Sequence, residues 1–182
     1  MRPTWAPALE RPDLLADPVR QALETMAANG VDVTEVEVTE IEPDQADTAV
    51  LVEATGWDLR DMANCIVISG ARAGEERVCA ALVLGHTRAD VNKAVRKRLD
   101  VRKCSFMPME DAVERSGMEY GGITPVGLPT EWPVLVDARV VQREQIVIGS
   151  GVRRSKLRLP GALAAELPGG QVVDGLALEI PA

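Results

Sequence analysis

Few residues of this 182-residue sequence could do chemistry, and most of them stand alone. The single histidine, His86, sits in a turn after an apolar run, and no Ser-His-Asp order can be read around it. Cys65, Cys79 and Cys104 are odd in number and widely spaced, with no CxxC, which is the pattern of reduced thiols in a cytosolic protein. Zinc needs three or four ligands from closely spaced pairs, so no metal site is expected, and no cofactor motif is present. Cys65 has no basic neighbour to lower its pKa, which argues against a nucleophile. Asp137 closes the apolar run Val134-Leu135-Val136; strand-end carboxylates serve catalysis in some proteins and cap turns in most. Asn64 is polar within Ala63-Asn64-Cys65-Ile66-Val67-Ile68. Its amide is either satisfied by backbone or turned into a pocket.

The segment Tyr120-Gly121-Gly122-Ile123-Thr124-Pro125-Val126-Gly127-Leu128-Pro129 is the most unusual in the chain. Three glycines and two prolines in ten residues exclude a regular helix or a central strand. It matches neither GxxxxGK[ST] nor GxGxxG. Such a loop is either a tight structural turn or a place where backbone approaches a ligand with free amides.

Charge gives a mixed message. The net charge is −8 and the pI is about 4.8, so general nucleic-acid affinity is not expected. Residues 31–61 carry ten acids and one base, whereas residues 93–103 carry six bases (Lys93, Arg96, Lys97, Arg98, Arg102, Lys103) and one acid. Arg153, Arg154, Lys156 and Arg158 form a second basic run. Both runs are either solvated faces or local phosphate contacts. Aromatics are only 3%, which disfavours a base-stacking platform.

The elements that must position these groups follow from periodicity. Asp17-Pro18 opens a helix with Val19, Ala22, Leu23, Met26 and Ala27 on one face, stopped by Gly30. Val31, Val33, Val36 and Val38 predict a strand bulged near Thr34-Glu35. Residues 47–55 predict a helix ending at Gly56, and 63–68 with 77–84 a buried hairpin. Asp90 caps a helix running to Leu99; a short strand (103–107), a short helix (109–116), strands at 133–137, 145–149 and 155–159, and a helix opened by Pro160 complete the reading. Residues 1–16, broken by Pro3, Pro7 and Pro12, predict an irregular arm, and 17–182 one domain. The class is α/β: one compact domain with a mixed, mostly antiparallel sheet flanked by helices. No stretch approaches the roughly 20 apolar residues of a membrane span. Met1-Arg2-Pro3-Thr4 leads into no signal-peptide core, so a cytoplasmic protein is expected.

The order of several segments resembles one family. These are Asn64 on a strand, Ala89-Asp90-Val91-Asn92-Lys93-Ala94-Val95 leading to Leu99, and Ala112-Val113-Glu114-Arg115-Ser116-Gly117. Gly121-Gly122-Ile123-Thr124-Pro125-Val126-Gly127, Val134-Leu135-Val136-Asp137 and Ile148-Gly149-Ser150-Gly151 follow. Together they resemble the YbaK/prolyl-tRNA-synthetase-associated domain family of aminoacyl-tRNA editing deacylases, over about residues 19–175. The resemblance implies a barrel-like sheet and a pocket that takes the aminoacylated 3′ end of tRNA and hydrolyses the ester of a mischarged amino acid in trans. The implied site residues are Asn64, Gly121, Gly122, Ile123, Thr124, Pro125, Gly127, Asp137, Ser150 and Gly151. Lys93, Arg96, Lys97, Arg153, Arg154 and Lys156 would contact tRNA. Implied partners are aminoacyl-tRNA and a synthetase, with no membrane, for a monomer or homodimer. Where members of the family carry a lysine on the first core strand, this sequence has Asn64, which supplies no positive charge. Two readings follow: a deacylase of altered specificity, or a binding module for aminoacyl-tRNA or a synthetase without turnover.

Overall fold

The structure is a computed structural model that describes residues 3–180; Met1, Arg2, Pro181 and Ala182, the outermost ends of the expected arm and domain, lie outside the described residues. In chain order the strands are β1 (Ala6–Pro7), β2 (Glu37–Glu40), β3 (Ala63–Arg72), β4 (Glu75–Leu84), β5 (Thr87–Ala89), β6 (Cys104–Phe106), β7 (Val134–Asp137), β8 (Ile146–Gly149), β9 (Ser155–Leu159), β10 (Gly170–Val173) and β11 (Ala177–Glu179). The α-helices are α1 (Asp17–Ala28), α2 (Thr48–Thr55), α3 (Arg96–Leu99), α4 (Met109–Ser116) and α5 (Ala138–Val141).

Two sheets share the core. One has the order β1-β2-β9-β8 and is antiparallel throughout; the other has the order β10-β7-β4-β3-β6, with parallel pairs only at β10–β7 and β7–β4. A two-stranded β11-β5 ribbon stands apart. The sheets meet where Met62 bridges Val147, and they do not close into a barrel. Period-two alternation divides their side chains. Val38, Ile148, Leu157 and Leu159 of the first sheet face Ala63, Val67, Ala80, Leu82 and Val136 of the second, with α1 packed over them through Val19, Leu23 and Met26. β4 is apolar on both faces because Cys79, Ala81 and Val83, beside Leu135 of β7, pack with Val95, Leu99 and Leu176. The outer face of the first sheet is covered by α2, whose Leu51 packs with Val147, Met62 and Ile41.

The expected helices over 17–28, 48–55 and 109–116 form, the last two ending at Gly56 and Gly117 in the left-handed conformation. Three expectations need correction. Val31 and Val33 are not in a strand; Asp32 accepts from the amide and hydroxyl of Thr34, and this turn delays β2 until Glu37. The helix after Asp90 is a π-helical turn over Val91–Val95 that passes into the four residues of α3. After Pro160 comes a 3₁₀ segment, Gly161–Glu166. The proline-broken arm consists of β1 and two 3₁₀ turns, and it is packed in: Ala8, Leu14, Leu15 and Ala16 are buried core residues.

Glycine 127 shows how tightly the loop after α4 is held. Its φ is +85°, and a Cβ there would lie 2.3 Å from the carbonyl oxygen of Pro18 in α1. Gly127→Ala is expected to lose about 2–4 kcal/mol of stability, from strain plus displacement of α1. Gly30→Ala, at a similar φ of +86° with nothing within 4 Å, should lose only about 1 kcal/mol. Denaturant midpoints of the two variants check this; equal losses would refute it.

Candidate functional site

A cavity of about 340 Å³ opens where the two sheets, α2 and the glycine-rich loop converge. Its walls come from Ala46, Asp47 and Thr48 at the start of α2, Met62 and the adjoining Ala63 to Cys65 of β3, Tyr120, Gly121 and Ile123 of the loop, and Val147, Ile148, Gly149, Arg153 and Lys156 around the β8–β9 turn.

Each wall has a local cause. Asp47 is the N-cap of α2 and accepts from the amides of Ala49 and Val50, which turns the first helical residues toward β3. Thr48 then donates its hydroxyl to Oδ1 of Asn64 at 2.8 Å. Asn64 is thus neither a buried core residue nor backbone-bound: its carbonyl is fixed by a side chain, and its NH₂ group has no protein partner among the described residues. Cys65 faces the core side; burial pushes its thiol up to about 12, so it stays protonated and is a poor nucleophile.

The loop is anchored to the β8–β9 turn by backbone. Gly151 donates to the carbonyl of Gly122 at 2.8 Å, and Glu119 donates to that of Gly151 at 2.8 Å. A Cβ on Gly149 would sit 2.3 Å from the Gly122 oxygen, so the approach requires glycine there. Arg153 spans the rim, its amide bound to the Glu119 carboxylate at 2.6 Å and its guanidinium over the Tyr120 ring at 5.9 Å.

Lys156 is the surprise. On β9 it lies opposite Gly149 and points to the face that α2 covers. Its side chain is buried, 6% exposed, and its ammonium donates to the carbonyl of Ala46 at 2.9 Å. Burial pulls its pKa down to about 8; Asp47 resists the fall and Arg153 adds to it. The basic run of 153–158 is therefore not one solvated face. Arg154 pairs with Glu40 at 3.6 Å, and Arg158 pairs with Glu37 and lies over Trp5 at 4.4 Å. Period two was legible in the sequence, but nothing in it signalled that α2 would cover the Lys156 face. Asp47 and Thr48 were missed as site residues for the same reason.

Of the residues expected at the site, Asn64, Gly121, Ile123, Arg153 and Lys156 meet at the cavity. Gly122, Thr124, Pro125, Gly127, Ser150 and Gly151 do not line it; they build the support behind it. The Gly122 amide, expected to be free, donates to the Glu119 carbonyl at 2.9 Å. Ser150 and Ser155 share a 2.6 Å hydrogen bond, and Ser155 donates to the carbonyl of Leu14 at 2.6 Å, tying the turn to the arm. The buried hydroxyl of Thr124 finds no partner among the described residues. Lys93, Arg96 and Lys97 are exposed on the π-helical turn and α3, away from the cavity lining. A second cleft of about 370 Å³ holds Arg77, Arg98 and Arg115, yet Arg77 is paired with Asp100 and Arg115 with Glu76. Among the described residues no group of three or more His, Cys, Asp or Glu could hold a metal ion, and no helix is long and apolar enough to cross a membrane.

Asp137 is also absent from the cavity. It caps α5, pairs with Arg139 at 2.8 Å and accepts from the amide of Ala177 at 2.9 Å. Burial raises its pKa, but the bonds from the Arg139 side chain and from the amides of Arg139 and Ala177 outweigh it, leaving the carboxyl below its ordinary value. A depressed carboxyl stabilises the fold above its unfolded pKa and loses that contribution as pH falls through the lower folded one. Asp137→Asn should therefore cost about 2 kcal/mol at pH 7, and the deficit should shrink on acidification. Urea unfolding of both proteins from pH 7 to pH 3 measures it; a constant deficit would contradict the pairing.

Known proteins share this architecture. A hypothetical protein, APE2540, has a TM-score of 0.71 at 19% identity, over 85% of this chain and 97% of its own. A candidate trans-editing enzyme for prolyl tRNA synthetase has a TM-score of 0.71 at 22% identity, over 92% of this chain and 99% of its own. A scaffold from epitope backbone grafting by computational design gives 0.71 at 20% identity, over 92% and 100%. No curated protein matches the sequence. The family model of the aminoacyl-tRNA editing domain matches residues 42–166, which takes in α2, Asn64, the glycine-rich loop and Lys156. With more than half of its length so matched, the chain belongs to the aminoacyl-tRNA editing domain family.

Proposed function

We propose that the chain hydrolyses the ester of mischarged tRNA in trans, in the cavity between Asn64 and the glycine-rich loop. Water adds to the ester carbonyl, the C–O bond to the ribose breaks, and free amino acid and a tRNA hydroxyl result. An aminoacyl ester is already activated, so the site has to position a water, donate to the developing oxyanion and limit what fits.

The observation that carries this reading is the Asn64 amide. Thr48 holds its carbonyl, which leaves the NH₂ group as a preoriented donor at the cavity wall. The protonated Cys65 thiol argues against covalent catalysis from that wall. Arg153 and Tyr120 at the rim suit a phosphate and a base of the entering strand beyond its terminal nucleotide. The likeness to a candidate trans-editing enzyme for prolyl tRNA synthetase supports action on tRNA released from a synthetase. A protein without a membrane-spanning helix among its described residues suits the cytoplasm, where charged tRNA is used.

Incubation with a panel of mischarged tRNAs tests this. At least one should lose its amino acid about tenfold or more faster than in buffer, and Asn64→Ala should slow that loss by about tenfold or more. Thr48→Val, which frees the amide to rotate, should slow it less. No acceleration for any amino acid overturns hydrolysis; retained tRNA binding in that case selects the second reading, a binding module in which the uncharged Asn64 holds ligand without turnover.

A further inference from the structure

We infer that Lys156 is an anion anchor at the wall of this cavity, its ammonium holding a negatively charged oxygen of the ligand. The inference rests on the cavity being the ligand site.

The argument starts with placement. Lysine is rarely buried without a partner, because its ammonium loses hydration inside. Lys156 is 6% exposed and gives one hydrogen to the Ala46 carbonyl. An ammonium has three donors, so two N–H bonds remain on a side chain that lines the cavity. Among the described residues no carboxylate bonds it directly. Its cross-strand neighbours, Thr39 on β2 and Gly149 on β8, carry no charge, and Thr39 spends its hydroxyl on the Thr4 carbonyl at 2.9 Å.

The ionisable neighbours leave the charge incompletely balanced. Asp47 at the start of α2 attracts it, but one oxygen of that carboxylate is occupied capping the helix. Arg153 from the β8–β9 turn repels it. Cys65 on β3 remains a neutral thiol, and Tyr120 on the loop also lines the cavity. Among the residues lining the cavity two cations thus face one carboxylate, while Glu119 beside the rim spends its carboxylate on the Arg153 amide, in a chain whose net charge is −8. The depressed pKa of about 8 is the mark of a desolvated cation short of partners. An anionic oxygen at the two remaining N–H bonds would relieve it. Asn64 provides a neutral donor on β3, while Lys156 supplies charge from β9, so the two groups serve different ligand atoms.

An aminoacylated 3′ end offers two such anions: the phosphate of the terminal nucleotide and a carboxylate side chain of the amino acid. Paired ligands separate these sources. Adenosine 5′-monophosphate against adenosine probes the phosphate. 3′-Aspartylamino-3′-deoxyadenosine against its asparaginyl counterpart, both amide-linked and resistant to hydrolysis, probes the carboxylate. Calorimetry at pH 7 should show a preference of about tenfold or more for the anion in one pair. The preference should fall toward unity by pH 9.5, as the amine loses its proton, and vanish in Lys156→Met. Thermal unfolding of that variant checks that it is folded, and the pH series on the unaltered protein stands without it. No preference in either pair, or one that persists at pH 9.5 or in Lys156→Met, overturns the inference. Deacylation that is unaffected by Lys156→Met would overturn it and leave the hydrolase reading intact. A Lys156-dependent preference in a protein that deacylates nothing would do the reverse.

Discussion

Backbone-to-backbone contact between two glycines is the constraint on which the cavity depends. Gly149 leaves only enough room for the carbonyl of Gly122, since a Cβ there would lie 2.3 Å from that oxygen. Any side chain at Gly149 would push the loop outward and break the bond that Gly151 gives to Gly122. The loop has no regular structure of its own, so its position is borrowed from the β8–β9 turn. That turn is borrowed in its turn: Ser155 bonds the Leu14 carbonyl, and the Ser150 carbonyl accepts from the amide of Ala16. The proline-broken arm is therefore part of the support for the cavity, and α1 holds the far end of the loop at Gly127.

Electrostatics then decides what the cavity can hold. A chain of net charge −8 repels a polyanion at long range, and screening confines that repulsion to about 10 Å at 0.1 M salt. Along the cavity lining the balance reverses, because Arg153 and Lys156 face one lining carboxylate, Asp47, and Glu119 is engaged at the Arg153 amide. Two of the three arginines of the second cleft contrast with this. Arg77 and Arg115 already have carboxylates, and Arg115 lies over Trp132 at 5.1 Å. Paired guanidiniums on a surface stabilise little and attract little. A desolvated ammonium with spare donors is the stronger recognition element.

Much of this was legible in the sequence, and the misses at the cavity share one physical origin. The hairpin of β3 and β4, helices α1, α2 and α4, and the irregular loop at 120–129 follow from local periodicity and from glycine and proline. Asn64 was visible as a polar residue in an apolar run, and its placement at a cavity wall agrees with one of its two readings. What local pattern could not supply was which sheet face another element would cover. Lys156 and Arg158 alternate with Leu157 and Leu159 as on a solvated strand, yet Lys156 lies under the start of α2 while Arg158 reaches Glu37 and Trp5. Asp137 was visible as a strand-end carboxylate, and in the structure it caps α5 and accepts from the Ala177 amide. β10 and β11 were not foreseen, because a short edge strand carries little pattern of its own.

The division of labour between Asn64 and Lys156 has a consequence for specificity. A neutral amide held by Thr48 is rigid and loses little entropy on meeting a carbonyl or hydroxyl, so it discriminates by geometry. A lysine ammonium on a four-carbon stem discriminates by charge and adapts its position. Under the proposed function, placing the charge on β9 rather than on β3 separates the group that would align the ester from the group that would select an anion. Exchanging the two residue types between the strands would conserve composition and net charge and still exchange these roles. The cation would then face α2's first turn, where Thr48 meets position 64, and the amide would meet the Ala46 carbonyl with two donors instead of three. Under the proposed function, ligand preference in this chain is thus set by which strand carries the charge, beneath a loop that two glycines hold in place.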